Sequence, residues 1–397
     1  MSNSQPLSES TTQDANHQEH LARLAVWLTK GVGPRMWQTL WTAFGSGREI
    51  LAASPEAWRA IGIPERVARL LQQATLDSAF REEQGCQQRG VTLVWYDDSM
   101  YPERLRLIPD PPPVLYVAGT LVPDDTHAVA IVGSRHASEY GTKTAYTLAA
   151  GLTRAGFTIV SGLARGIDRA AHEGALGAGG RTLAVCAHGL AYVYPPEHAH
   201  LAQQIRQQGA LLAEVPLQQP PLAGLFPQRN RLISGLALGV IVVEAARGSG
   251  ALLTARHAVE QNRDVFAVPG RIDNPQSAGC HDLLRDGAIL VRGVDDIIEA
   301  LANSGLSQGA VVPTTHSESG VPARVVSKNK TEEHVARARN LNPDEETLYA
   351  VLTAEPISLD ELVQRTGRDA AQVLLALTGL ELRSLVKRWP GGRISRI

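Results

Sequence analysis

Cysteine, long apolar runs and an excess of charge of either sign are all scarce in this chain, and each shortage closes off a class of function. Its 397 residues include three cysteines, Cys86, Cys186 and Cys280, far apart and without a Cys-x-x-Cys pair. Such spacing offers neither a disulfide framework nor a zinc site, so no metal and no cofactor is expected. The longest apolar stretch, around Ile233–Ala246, is interrupted by glycines and by Glu244. It falls short of the roughly 20 apolar residues that a membrane-spanning helix requires. Met1–Glu19 has neither an apolar signal core nor an Arg-rich transit character, which makes the cytoplasm the expected address. Formal net charge is −2. Sequence-independent binding of nucleic acid is electrostatic, so any such function here has to rest on local clustering of charge.

With 44% apolar residues the chain can bury a full core, in two or three domains. The densest chemistry lies in Phe226-Pro-Gln-Arg-Asn-Arg-Leu-Ile-Ser-Gly-Leu236, followed by the apolar run Val240–Val243, Glu244 and the turn Arg247-Gly-Ser-Gly250. Two arginines flanking an asparagine, ahead of an apolar helical face (Leu232, Ile233, Leu236), suit a turn entering a helix. Such a turn offers amides and guanidinium forks to anions.

From Leu21 to Leu76 the pattern is helical, broken at Gly31-Val-Gly-Pro34 and at Ile61-Gly-Ile-Pro64. Two readings fit: tandem helix-hairpin-helix or sterile-alpha-motif-like modules whose glycine amides face a DNA phosphate, or a small helical bundle without a ligand. A strand at Val91–Val94 and the rigid Pro109–Pro113 lead into Val114–Val117. A regular alternation then begins. Strands are expected at Ala128–Val132, Phe157–Val160, Thr182–Cys186, Leu211–Val215, Val240–Val243, Val265–Val268 and Ala288–Val291. Helices are expected at Tyr140–Ala155, Ile167–Leu176, Glu197–Gln208, Arg229–Ala237 and Ala251–Gln261. That order calls for an α/β fold, an extended Rossmann-like, doubly wound and mostly parallel sheet.

Ligands of such sheets bind beyond the carboxyl ends of the strands. Gly133, Ser134 and Arg135 follow one strand, Ser161, Gly162, Arg165 and Gly166 the next, and Glu244, Gly248, Ser249 and Gly250 another. Phe226, Arg229, Asn230 and Arg231 precede the last of these. Arg135, Arg165, Arg229, Arg231, Arg247 and Arg271 are therefore expected to converge on one edge and supply the basic patch that net charge does not. Their planar forks suit phosphate, and the glycines admit close approach of the backbone. No Gly-x-Gly-x-x-Gly follows the first strand of the alternation, which excludes a dinucleotide site.

Beyond the sheet, residues 303–342 are polar and without periodicity, as in a flexible linker. Asp344–Leu352, Ser358–Thr366 and Ala370–Glu381 read as three helices, and Val386–Ile394 as a hairpin, the pattern of a winged helix. The third helix carries almost no basic residue, which points to partner contact or structural support. The expected division is thus a disordered 1–19, a helical domain 20–85, a Rossmann-like domain 86–302, a linker 303–342 and a winged helix 343–397.

At Gly133-Ser-Arg135, Ser161-Gly-Leu-Ala-Arg-Gly-Ile-Asp168, Phe226–Gly235, Gly248-Ser-Gly-Ala-Leu-Leu-Thr-Ala255 and Val265–Gly270 the chain resembles the DNA-processing protein A family, DprA or Smf. The resemblance implies a homodimer that binds single-stranded DNA, protects incoming strands and loads the RecA recombinase onto them during natural transformation, without catalysis. Phosphates would lie on Arg135, Arg165, Arg229, Arg231 and the glycine amides. Phe226 would stack a base or belong to the core, and Asn230 would touch a base edge or cap its helix. The chain departs from the family pattern at Ala187-His-Gly-Leu-Ala191, at Ala213 and at His281. A second reading, similarity to nucleotide-processing enzymes of the lysine-decarboxylase-like (LOG) group, would put Glu244, Arg256 and Glu260 in a base-cleaving site, although that group's Gly-Gly-x-Gly-Thr motif is missing.

Overall fold

The computed structural model of the chain describes residues 7–304, 342–352, 357–382, 385–389 and 393–396, which form two compact units, one on each side of residues 305–341. The segment expected to be a linker lies almost wholly outside the described residues.

In the first unit, helices α1 (Leu7–Leu28), α2 (Pro34–Phe44), α3 (Gly47–Ala52), α4 (Pro55–Ala60), α5 (Glu65–Leu71) and α6 (Leu76–Gln88) precede the sheet. Residues 7–19, expected to be disordered, are instead the first half of α1. One anchor is Glu19, whose carboxylate accepts from the Gly47 and Arg48 amides at 2.6 and 3.2 Å and so satisfies the open start of α3. The helices share one core with the sheet: Leu24, Trp37, Leu40 and Trp58 cluster with Val114, Tyr116, Leu201 and Ile205. The helices are seated on the sheet, an arrangement compatible with both readings of this segment.

The sheet holds β1 (Val91–Trp95), β2 (Val114–Gly119), β3 (Ala128–Val132), β4 (Thr158–Ser161), β5 (Thr182–Val185), β6 (Ala210–Ala213), β7 (Gly239–Val242), β8 (Asp264–Ala267) and β9 (Ile289–Leu290). Their order is β1-β2-β6-β5-β4-β3-β7-β8-β9. From β6 to β9 all neighbours are parallel, and β2 joins β6, and β1 joins β2, antiparallel. The central strands read as continuous apolar runs because helices cover both faces. Ala128, Ala130 and Val132 of β3 face one layer, with Leu232 and Ile233, while Val129 and Ile131 face the other, with Leu148 and Ile159. Burial of a side chain such as Ile131 contributes about 1.5–3 kcal/mol, so register is strongly specified.

Between and after the strands lie α7 (Glu103–Arg106), α8 (Glu139–Arg154), α9 (Ile167–Gly177), α10 (Ala199–Gln208), α11 (Leu225–Leu236), α12 (Gly250–Glu260), α13 (Ala278–Arg285) and α14 (Val294–Asn303). The helix expected from Arg229 begins four residues earlier, at Leu225, so Phe226–Arg231 is helix and not a turn. No helix among the described residues is long and apolar enough to cross a membrane.

The second unit has helices Pro343–Val351, Leu359–Thr366 and Ala370–Leu382 and a three-stranded antiparallel sheet of Ile357–Ser358, Arg393–Arg396 and Val386–Trp389, in that order. Leu348, Leu362, Val373, Leu377, Leu380 and Ile394 fill its core. This is a winged helix.

Candidate functional site

Strand order reverses at β3. From there the chain moves outward through β4 and β5 on one side, and through β7 and β8 on the other. The crevice beyond the carboxyl ends of β3 and β7 is the switch point, where open parallel sheets bind ligands. Glycines make its loops fit. A Cβ at Gly133 would come 2.6 Å from Ile167 and 2.8 Å from the Glu244 carbonyl oxygen. Gly166, at φ +72°, lies so near that a Cβ would stand 2.2 Å from the Ser134 carbonyl oxygen. Ser134 donates its N–H to the Glu244 carbonyl at 2.7 Å, and Ile167 donates to the Ser134 carbonyl at 3.2 Å. The ends of β3 and β7 and the start of α9 are thereby tied together.

Above these loops opens a cavity of about 680 Å³. Its walls include Gly133, Ser134, Arg135, His136, Asp168, Tyr194, Phe226, Arg229, Asn230, Ser249, Gly250 and Thr254. The Arg135 guanidinium stands over the Phe226 ring at 5.0 Å, and the Tyr194 ring meets Phe226 at 5.8 Å and 63°. The start of α12 faces the same space, capped by Ser249, and Asn230 Nδ2 donates to the Gly250 carbonyl at 3.1 Å. An exposed guanidinium, the start of a helix and two aromatic rings converge here. Such a set accepts an anion joined to a flat, unsaturated ring.

The expected convergence of arginines is only partly realised. Residues two apart on a helix point about 200° apart, so Arg229 and Arg231 of α11 cannot share a face. Arg229 is buried beneath the cavity and donates to the carbonyls of Gly162, at 2.7 Å, and Val185. Arg231 turns to a separate cleft, where it pairs with Glu214 and stands 3.5 Å from Asp110. Arg165 pairs with Glu197, Arg247 with Asp282 and Arg271 with Asp273, and none of these three lines the cavity. Arg135 is the exposed arginine inside it.

Other expected ligand contacts are structural for similar reasons. Ser161 is fully buried and donates its hydroxyl to the Ile131 carbonyl at 2.6 Å. Gly162 and Gly166 shape the loops without lining the cavity, and Gly248, at φ +78°, turns the chain into α12. Glu244 is buried under the start of α8, where it accepts from the Ser138 amide at 2.8 Å and from its hydroxyl. The base-cleaving trio is not assembled, since Glu244 is committed to Ser138 while Arg256 and Glu260 are exposed away from the cavity.

Behind the wall lies a buried polar network. Burial pushes the Asp168 carboxyl above the usual carboxylate range, partly offset by the nearby Arg229 charge and by the Ala164 and Gly162 amides that donate to it. Burial also holds the His172 imidazole down at about 3. His172 accepts from the Leu163 amide at 3.3 Å and contacts the Thr182 hydroxyl at 2.7 Å. No group of three or more His, Cys, Asp or Glu side chains able to hold a metal occurs among the described residues.

Tyr194, His136, Asp168, Thr254 and Gln276 also line the cavity, without having been expected there from the sequence. For Tyr194 a signal existed: Tyr192-Val-Tyr-Pro195 puts two aromatic rings in the loop after β5, at the carboxyl edge already singled out.

Fold and site together define an open, doubly wound α/β protein with a cavity walled by an arginine and aromatic rings at its switch point and a winged helix in the same chain. Sequence comparison places these features in one lineage. Residues 92–302 match the family model for DNA recombination-mediator protein A, and residues 332–392 the DprA winged helix domain. Protein Smf of Synechocystis is 34% identical over 398 residues, covering 94% of this chain and 98% of its own. Protein Smf of Escherichia coli is 41% identical over 303 residues, 76% of each chain. The X-ray structure of DNA processing protein A from Streptococcus pneumoniae superposes with a TM-score of 0.63 at 34% identity, over 70% of this chain and 97% of that one. The chain belongs to the DprA/Smf family.

Proposed function

We propose that this chain binds single-stranded DNA in the switch-point cavity, protects incoming strands and delivers them to the RecA recombinase during natural transformation and homologous recombination. It acts in the cytoplasm as a homodimer and catalyses no reaction. The observation that carries the reading is the Arg135 guanidinium over the Phe226 ring at 5.0 Å beside the start of α12. A phosphate fits the guanidinium and the amides of Gly133 and Gly250, and a base fits the aromatic wall, with Asn230 and Ser249 at its edge. An unpaired base offers a free face for stacking, which a base inside a duplex does not. Arg229 supports this wall from beneath. The names of the relatives, as DNA-processing and recombination-mediator proteins, support the wider role, and the winged helix, with its poorly basic third helix, fits partner contact better than base reading.

The test compares affinity for a single-stranded oligonucleotide, its duplex and a mononucleotide at two salt concentrations. Tight binding to the single strand that weakens steeply with salt, with duplex and mononucleotide well behind, is expected. Release of free base from nucleoside monophosphates would instead favour the enzymatic reading, and equal affinity for duplex would overturn single-strand selectivity.

A further inference from the structure

A second cavity, of about 380 Å³, opens at the amino ends of the parallel strands, between α7, the segment leading from β2 into β3, and the end of α11. The five residues of β3, roughly 16 Å of strand, separate it from the switch-point cavity at the carboxyl ends. Buried Tyr101, Leu121 and Leu236 give it an apolar floor. Met100 at its lip is 47% exposed, and Leu107, just after α7, is 70% exposed. Arginines stand here without acids. Arg106 donates Nε to the Tyr96 carbonyl at 2.9 Å and Nη2 to the Asp98 carbonyl, with its guanidinium 5.5 Å from the centre of the Tyr101 ring. Its Nη1 is left without a partner, and no carboxylate pairs with it among the described residues. Behind α7, Arg263 is 8% exposed, donates to the Arg104 carbonyl at 3.1 Å and keeps a buried Nε that has no partner. Arg165, Arg181, Arg231, Arg247 and Arg271, in contrast, each pair with an acid. Carbonyls orient a guanidinium without supplying a counter-charge. Arg106 is therefore a fixed, uncompensated fork beside an apolar hollow, the arrangement that a carboxylate next to an aliphatic side chain complements.

We propose that this cavity docks an acidic segment of a partner protein, with an aliphatic side chain of the segment seated on Tyr101, Leu121 and Leu236 and a neighbouring carboxylate on Arg106. A nucleic acid fits the surface less well. Its backbone would carry a charge at every nucleotide past Glu103, which is exposed on the same wall. Tyr101, the aromatic residue of the cavity, is buried and offers no face to a base. A peptide brings a single carboxylate to Arg106 and fills the hollow with one side chain. Docking at this end of the strands leaves the switch-point cavity open, so a partner and a ligand of that cavity can be held at once.

The chain has three methionines, so isotope labelling of their methyl groups gives three NMR signals. Met100 reports on the lip of this cavity, and Met36, in the separate cleft beside Arg231, serves as control. Met100→Leu assigns the first signal. The probe is a synthetic peptide with one leucine flanked on both sides by aspartates, titrated to millimolar concentration into the full-length protein. The Met100 signal is expected to move and saturate while that of Met36 stays. Peptides with asparagine in place of aspartate, or alanine in place of leucine, should bind roughly 10-fold more weakly or worse, as should the aspartate peptide to Arg106→Gln. Arg106→Gln should bind a single-stranded oligonucleotide as the wild type does. A Met100 signal that ignores the aspartate peptide, or that answers a single-stranded oligonucleotide more strongly, overturns the proposal. Loss of self-association in Arg106→Gln would assign the face to a second copy of the chain and overturn it too. If Arg106→Gln does not fold, the peptide series on the wild type decides alone.

Discussion

The Arg229 guanidinium occupies the space in which a side chain at Gly162 would begin. A Cβ there would lie 2.4 Å from Nη1, and the same nitrogen donates to the Gly162 carbonyl at 2.7 Å. The end of β4 and the middle of α11 are thereby interlocked behind the cavity wall that carries Phe226. Arg229→Ala would leave the Gly162 and Val185 carbonyls without this donor and Asp168 without its cationic neighbour. A stability loss of roughly 3–5 kcal/mol is expected in urea unfolding. A loss under about 1 kcal/mol, within the range of an ordinary substitution, would mean that Arg229 is not a structural keystone and is free to serve a ligand.

Arg135 and Arg231 should separate binding from folding. Arg135→Ala is expected to leave stability within about 0.5 kcal/mol while lowering the salt slope for oligonucleotide binding by roughly 0.7 and affinity equally for different sequences. Arg231→Ala should destabilise the protein, because it strips the largely buried Glu214 of its partner, yet leave the slope unchanged. A reduced slope in the Arg231 variant would return that residue to the interface.

Acid should weaken the fold through His172. Its folded pKa is lowered from 6.5 to about 3, so below pH 6.5 the unfolded chain binds a proton that the folded chain refuses. Stability contributed by the neutral ring is present above about 6.5 and is lost progressively as pH falls toward 3. Unfolding midpoints measured across that window should fall more steeply for wild type than for His172→Gln. Parallel curves would show that His172 titrates normally.

Deleting residues 343–397 is expected to leave most single-strand affinity intact, since every residue lining the cavity lies between Val132 and Gln276. Anisotropy on the truncated chain measures this directly, and a large loss would move the interface to the winged helix.

A homodimer mass is expected in sedimentation at micromolar concentration. A monomer under those conditions would count against the proposed assembly.

The sheet was legible in the sequence because strands buried on both faces must be apolar throughout. Runs such as Ala128–Val132 and Val240–Val243 therefore mark themselves, and the glycines that follow them locate the carboxyl edge where the cavity opens. The roles of individual charged residues were not legible. Whether Arg229 or Arg231 meets the cavity depends on where α11 begins and how it is rotated, and only packing against β3 and α12 settles that phase. The same holds for Glu244, whose carboxylate is claimed by Ser138, 106 residues away in the chain. It holds as well for residues 7–19, which are tied into the bundle where Glu19 meets Gly47 and Arg48. Local composition determined which segments are strands, which loops share an edge and that an arginine and an aromatic stand there. Tertiary structure decided which of those side chains is left facing solvent, because a buried charge is held by partners brought from distant parts of the chain.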